Sequence, residues 1–543
     1  MKTYWTLFLL FLFINPVKAQ KVEINYQRAS LPVLSGMETN PVGFIRVVNS
    51  DCRKIVLTGI SYDFKGTSDL KDVKHIALYE CNEQGRILKN KLLAYSRADA
   101  MKGHFRVCLP LVRDTCYWAF AVGLNTDVNL LHRINVNCTE VSWNTGNVVL
   151  DQVYKEGLRV GYPLRLSFQD GVHTSRIPGL ATSKKGTLLT IYDARWRSAR
   201  DLQGDIDIAM NRSEDGGQTW KPMQCVLDQG KWGGLPEKFN GVSDACILVD
   251  DCTGTIFVAG LWMHGVLDRN TGQWVEGLTE ESSQWIHQWH AKGSQPGVEV
   301  KQTSQFLITY SKDDGKTWST PVNITPATKR PEWWLYAPAP GHGITLKDGT
   351  LVFPTQGRDA SGKPFSNITY SKDGGQTWVA SNPAYSNTTE CMAVELEDGS
   401  LMLNMRDNRN YNVESPNGRR ICITNDLGNT WSEHPTSHSV LTEPTCMASI
   451  HKHYYKVKGK KKSLLVFLNP NSYCARNHLT LKLSLDDGMT WPEKYWLVLD
   501  EWGGYEYSCI TSVDRETLGV VYEGSGAQLI FQKIKIADLL KNN

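Results

Sequence analysis

The chain has 543 residues, with 59 basic against 56 acidic side chains and a formal net charge of +3. This near-balance lacks the electrostatic footprint of a nucleic-acid partner or a bulk membrane-surface partner. The length provides material for more than one domain, and 18 Trp with 45 Gly suit turn-rich β-structure.

In chain order the first element is "MKTYWTLFLLFLFINPVKAQ", a Lys, an apolar run and then Val17, Lys18 and Ala19. It reads as a secretory signal peptide over residues 1–19, because the apolar run is short for a bilayer span and no second one follows. No Cys stands at the cleavage point, the first being Cys52. The expected location is therefore secreted or periplasmic, with neither a lipid anchor nor a transmembrane segment. Thirteen cysteines in an exported chain permit disulfides, but their odd number and scattered spacing read mostly as buried thiols, with room for one or two bridges.

Residues 20–150 hold short alternating segments such as "GFIRVVNS", "HIALYEC", "HFRVCLPL" and "CYWAFAVGL". They predict a separate β-sandwich domain, whose task is glycan binding or scaffolding, with neither favoured by the sequence.

Residues 151–543 carry two repeats. The first is the octapeptide "SEDGGQTW" from Ser213, followed by "SKDDGKTW" from Ser311, "SKDGGQTW" from Ser371, "TNDLGNTW" from Thr424 and "SLDDGMTW" from Ser484. Ser or Thr and the Asp two places on can bond backbone N–H groups, the fixed Gly can take a positive φ, and the Trp can bury its ring. That is turn chemistry, and it assigns these side chains a structural role.

The second repeat is a turn followed by an apolar, β-prone run: "GTLLTIYDAR" (186–195), "GTIFVAGLWM" (254–263), "GTLVFPTQGR" (349–358), "GSLMLNMRDN" (399–408), "KSLLVFLNPN" (462–471) and "ETLGVVYEGS" (516–525). Six core strands with five octapeptides predict an all-β, six-bladed propeller in which the octapeptide joins two outer strands of five blades. The sixth blade runs off the C-terminus and needs an earlier strand, near residues 160–178, to complete it. The long interval from Thr255 to Ser311 marks an insertion in blade two, rich in Trp and His and including Trp274, Trp285 and Trp289. It leaves the end of a core strand, so it is expected either to rim the pocket at that face or to pack on neighbouring blades.

The core strands end in polar residues: Arg195 and then Asp201 after the first, Gln356 and Arg358 at the third, Arg406 at the fourth, Arg476 after the fifth. Arginines converging on one face repel one another unless an anionic ligand is expected.

With these residues in view, the region from about 160 to 543 resembles the exo-sialidase (neuraminidase) family, whose Asp boxes the octapeptides match. "SRIPGL" is similar to that family's Arg-Ile-Pro motif, although an aromatic often precedes the Arg there; the match implies that Arg176 binds the substrate carboxylate, with Arg406 in "LNMR" and Arg476 in "SYCAR" completing a triad. "YDARWRSARDLQGDIDI" resembles the acid/base segment, implying Asp201 as general acid and Arg195 as a sugar contact. "NTTECMAVEL" implies Glu390 as the family's glutamate, with Glu395 as alternative, and "GYEYSCI" implies Tyr507 as nucleophile, with Tyr505 as competitor. Asp244 and Gln356 join the expected substrate-binding set.

The chemistry is coherent with that resemblance. Sialic acid carries a carboxylate on its anomeric carbon, which guanidinium groups can hold and which would repel an attacking carboxylate; a neutral Tyr avoids that repulsion. A phenol with a pKa near 10 needs a base, here Glu390, while Asp201 protonates the leaving oxygen and later activates water. The resemblance implies a retaining exo-α-sialidase acting on sialylated glycans with no metal or organic cofactor. A non-catalytic sialoglycan lectin, or a transglycosylating or intramolecular enzyme, are the rival readings.

Overall fold

The computed structural model describes residues 22–49, 55–111, 115–263, 268, 275–283, 294–410 and 417–541. The expected signal peptide and Trp274, Trp285 and Trp289 lie outside the described residues. The chain divides into two units. One holds Met1–Ala29, Pro41–Gly123 and Asn135–Gly157; the other holds Ser30–Asn40, Leu124–Ile134 and Leu158–Asn543.

The first unit has two sheets. Five strands run in the order Val22–Gln27, Asn40–Asn49, Thr115–Leu124, Val73–Cys81 and Ile87–Arg97, and four in the order Gly146–Val149, Asn137–Trp143, Val56–Asp63 and Lys102–Pro110. Their inner faces meet through aromatic rings: Phe120 of the larger sheet lies 5.9 Å from Tyr62 and 6.3 Å from Phe105 of the smaller. Alternating aromatic and small side chains fill this core, as expected of a sandwich.

The second unit is the six-bladed propeller. Blade one is typical, with strands Thr174–Thr182, Leu188–Arg195, Ile206–Ser213 and Gln224–Leu227 hydrogen-bonded in chain order. The apolar runs read from the sequence are the second strand of each blade, at Leu188–Arg195, Ile256–Met263, Leu351–Arg358, Leu401–Asp407, Lys460–Pro470 and Thr517–Tyr522. Most of their residues are buried, because both faces of each sheet are covered by neighbouring blades.

The sequence window 160–178 divides between two blades. Leu158–Arg165 pairs antiparallel with the C-terminal strand Leu529–Lys535 and closes the sixth blade, whereas Thr174–Thr182 opens the first. The closing strand also takes a parallel partner from far upstream, with Val33 beside Val160 and Leu34 beside Gly161. Leu34 thus enters the same core cluster as Tyr522 and Ile530. No helix among the described residues is long and apolar enough to cross a membrane, and Cys81, Cys138, Cys246, Cys391, Cys422, Cys446 and Cys509 are buried free thiols.

The octapeptides perform the turn chemistry read from them. In the third, Ser371 Oγ accepts from Gly375 N at 2.8 Å and donates to Asp373 Oδ1 at 2.7 Å; the Asp carboxylate also takes Thr377 N at 2.9 Å and Thr377 Oγ1 at 2.6 Å. Led by the Thr377 hydroxyl, these donors hold the Asp373 carboxyl down at about 2. Gly375 sits at φ +87°, and a Cβ there would lie 2.5 Å from the Phe257 ring of the preceding blade. The same Ser or Thr to Gly bond recurs at 2.8–2.9 Å in the other four copies. Trp378 turns inward between blades two and three, 5.9 Å from Phe257 and 5.1 Å from Phe353.

Two stability outcomes follow from this packing. Trp378→Ala should cost about 3–5 kcal/mol in equilibrium unfolding while leaving KM of the folded protein unchanged. Leu34→Ala should cost about 2–4 kcal/mol and destabilise the propeller although it lies over a hundred residues upstream of the closing strand; a propeller transition that does not move would contradict this packing.

Candidate active site

In every blade the first two strands are antiparallel, so the start of the inner strand lies beside the end of the second, and both deliver side chains to one face. In blade one Thr174 is opposite Arg195 and Arg176 opposite Asp193. A pocket of about 200 Å³ opens there, lined by Arg176, Asp201, Asp244, Gln356, Glu390 and Tyr507 among others. It brings together residues from five blades.

Irregular backbone aims these groups. The inner-strand register shifts between Arg176 and Gly179, between Ser243 and Cys246, and between Thr388 and Cys391, leaving an extra residue just after Arg176 and one each beside Asp244 and Glu390. Ile177 adopts φ +59°, Asp244 +55°, Asn387 +58°, Thr445 +51° and Glu506 +63°, a left-handed conformation costly for β-branched Ile and Thr. Five blades therefore place a strained residue within or just before the inner strand at this end.

Tyr507 is buried, and its hydroxyl donates to Glu390 Oε1 at 2.5 Å. Arg406 Nη1 donates to both members of that pair, 2.9 Å from the Tyr507 oxygen and 2.6 Å from Glu390 Oε2. Burial, reinforced by the Glu390 charge, holds the Tyr507 phenol well above its usual range, while Arg406 and Arg476 pull the other way. The Arg176 and Arg476 guanidinium carbons lie 5.3 and 5.5 Å from the centre of the Tyr507 ring. Arg476 is held by the carbonyls of Thr445 at 3.1 Å and Tyr505 at 3.3 Å. The three arginines thus surround one ring, although 300 residues separate the first from the last.

Of the paired alternatives, Glu395 lies at the far end of the inner strand, where its carboxylate accepts from Lys347 N at 3.0 Å. Tyr505 is half exposed, with its ring 3.9 Å from the Arg176 guanidinium carbon.

Asp201 is half exposed at the pocket and accepts from Arg195 Nη2 at 2.7 Å. Arg195 itself is only 1% exposed and bridges Asp201 to the fully buried Asp193, 2.9 Å away, whose carboxyl burial pushes up to about 6 against the pull of Arg195. Its guanidinium, expected as a sugar contact, stands behind Asp201 and is not among the residues that line the pocket. Asp244 is buried, takes Gln356 Nε2 at 3.2 Å, and has its carboxyl raised well above the usual range by burial and then by the nearby Asp201 and Glu390.

Glu523 belongs to the site although no sequence signal singled it out. Its carboxylate receives Arg176 Nε at 2.8 Å and Nη2 at 3.1 Å, Ile177 N at 2.9 Å and Tyr507 N at 3.0 Å. It stands just after the sixth core strand, eighth in its repeat, in the position equivalent to Asp193, Gln356 and Arg406. Strand-end position was the usable signal, but an expected anion draws attention to cations and away from an acid. Arg358, Thr389 and Asn408 also line the pocket.

The model of the BNR repeat-like domain matches residues 186–520, and that of the N-terminal domain of BNR-repeat neuraminidase matches residues 19–106. A sialidase of Bacteroides fragilis is 41% identical over 427 residues, 78% of this chain and 74% of the relative. A sialidase of Micromonospora viridifaciens is 30% identical over 68% of this chain and 53% of its own length. The solved structure of a Hadza microbial sialidase superposes with a TM-score of 0.84 at 36% identity, covering 94% of this chain and 99% of that one.

Glu523→Gln removes the charge that anchors Arg176. Steady-state kinetics on an aryl sialoside should show kcat/KM lower by about ten- to a hundred-fold, from roughly 1.5–3 kcal/mol of charge-assisted bonding.

Proposed function

The chain belongs to the BNR-repeat sialidase family and is an exo-sialidase, a glycoside hydrolase of sialylated glycans; we propose that it cleaves with retention, using Tyr507 as nucleophile, Glu390 as its base and Asp201 as acid and base. The observation that carries this reading is the 2.5 Å bond from the Tyr507 hydroxyl to Glu390 within a cluster of three arginines.

Arg176, Arg406 and Arg476 hold the sialic acid carboxylate, each charge-assisted bond contributing on the order of 1.5–3 kcal/mol. That places the anomeric carbon over Tyr507. The phenol oxygen attacks it as its proton passes to Glu390, and Asp201 gives a proton to the departing glycoside oxygen. The raised pKa of the free phenol keeps it neutral until a substrate arrives, so the incoming anion meets no negative oxygen. In the second half Asp201 takes a proton from water, water displaces the tyrosyl oxygen, and Glu390 returns its proton to Tyr507. Asp244 and Gln356 border the sugar-binding volume, and Arg195 fixes the Asp201 carboxylate. Export of the enzyme, to the exterior or the periplasm, is part of the same reading and is supported by the apolar leader of residues 1–19.

Tyr507→Phe deletes the attacking oxygen and leaves the arginines in place. Turnover should fall by several orders of magnitude while a sialic acid analogue still binds, measured by kinetics and calorimetry. A fluorinated sialosyl fluoride should trap a covalent adduct on Tyr507, identified by peptide mass spectrometry. Full activity in Tyr507→Phe, or a label on Tyr505, would overturn the assignment.

A further inference from the structure

Beneath Arg406 and Arg476 lies a second ion pair that does not line the pocket. Arg419 Nη1 meets Glu443 Oε2 at 2.5 Å, and both side chains are fully buried. A buried pair of this kind contributes little net stability compared with well-packed apolar residues, so its presence invites a different explanation.

Its remaining bonds supply one. Glu443 Oε1 accepts from Asp407 N at 2.7 Å, the backbone immediately after Arg406. Arg419 Nε donates to Asn404 Oδ1 at 2.7 Å, two residues before Arg406. On its other side Arg419 Nη1 donates to Cys446 O at 2.7 Å, and the adjacent Thr445 carbonyl is the one that holds Arg476. Asn410 ties the same parts together: its Nδ2 donates to Glu443, its carbonyl accepts from Thr445 Oγ1 at 2.8 Å, and it also takes Asn417 Nδ2, which in turn donates to Tyr473 O at 2.7 Å, three residues before Arg476. Most arms of the network end beside Arg406 or on backbone that holds or leads to Arg476, while Asn410 also exchanges bonds with the Gly418 backbone. Thr445 keeps its left-handed φ of +51° inside this cage.

We propose that Arg419 and Glu443 are positioning residues that set the spacing of Arg406 and Arg476, and through it the fit of the substrate carboxylate; this rests on the reading of those two arginines as carboxylate ligands. A rigid fork with several donors can register two blades at once, which a Lys in place of Arg419 cannot. Misplacement of about 1 Å at a binding group is enough to cost about a hundred-fold in rate.

The test uses the full chain and an aryl sialoside. Arg419→Met combined with Glu443→Leu removes both charges together and so leaves neither buried and unpaired. KM should rise by about ten-fold or more, and by more than kcat falls. Arg419→Lys keeps the ion pair but loses the fork, and should give a smaller rise in the same direction, which keeps the inference testable should the double variant not fold. In an Arg476→Leu background the same substitutions should raise KM by a clearly smaller factor, because only the part that acts through Arg406 remains. A folded variant with a lower melting temperature and unchanged KM would reduce the pair to a structural role and overturn the inference. An equal multiplication of KM in both backgrounds would overturn it too. An Arg476→Leu enzyme with unchanged KM would instead remove the carboxylate reading, and this inference with it.

Discussion

One carboxylate does the most to make this site feasible. Glu523 accepts four N–H groups, two from Arg176 and one each from the backbones of Ile177 and Tyr507. A pocket built for an anion must gather guanidinium groups that repel one another and bury them before the anion arrives. An uncompensated buried charge of that kind is strongly destabilising. Glu523 neutralises Arg176 from behind, so the arginine is charged, oriented and still presents a face to the pocket. Because the same carboxylate takes the Tyr507 backbone, the proposed nucleophile and the first proposed carboxylate ligand are placed by a single group.

The bond joins the inner strand of blade one to the end of the second strand of blade six, so it forms only when the ring is closed. Closure depends on Leu158–Arg165 pairing with Leu529–Lys535. Site assembly is therefore coupled to the last long-range pairing of the fold, and a destabilised sixth blade reaches the chemistry directly. Several other charges follow the same rule of local compensation: Arg406 leans on Glu390, Arg195 stands between Asp193 and Asp201, and Arg419 meets Glu443, whereas Arg476 is held by carbonyls.

Turn repeats and chemistry occupy opposite parts of each blade. The octapeptides connect outer strands and use Ser, Asp, Gly and Trp to close a turn and pin it to a neighbour. The inner strands depart from ideal geometry, with register shifts at Arg176, Asp244 and Glu390 and left-handed residues such as Ile177 and Thr445. Strain of this sort persists where surrounding structure over-determines it.

The blade number, the position of the octapeptides between outer strands and the apolar second strands were legible in the sequence, because each depends on interactions within a few residues: a Ser hydroxyl to a Gly N–H four places on, or a β-prone run after a turn. The arginines, Asp201, Glu390 and Tyr507 were legible as candidates through local motifs of the same reach. How these residues are partnered was not. The choice between Glu390 and Glu395 turns on which end of one strand faces the pocket, and that between Tyr507 and Tyr505 on which hydroxyl reaches a carboxylate more than a hundred residues upstream. Glu523 with Arg176, the withdrawal of Arg195 behind Asp201, and the packing of Leu34 beneath the sixth blade were likewise invisible, since a partner hundreds of residues away leaves no mark on local periodicity. The order of residues specifies which groups are available and which local turns present them. Ring closure selects which charges meet, because electrostatic compensation acts through space and is not encoded in proximity along the chain.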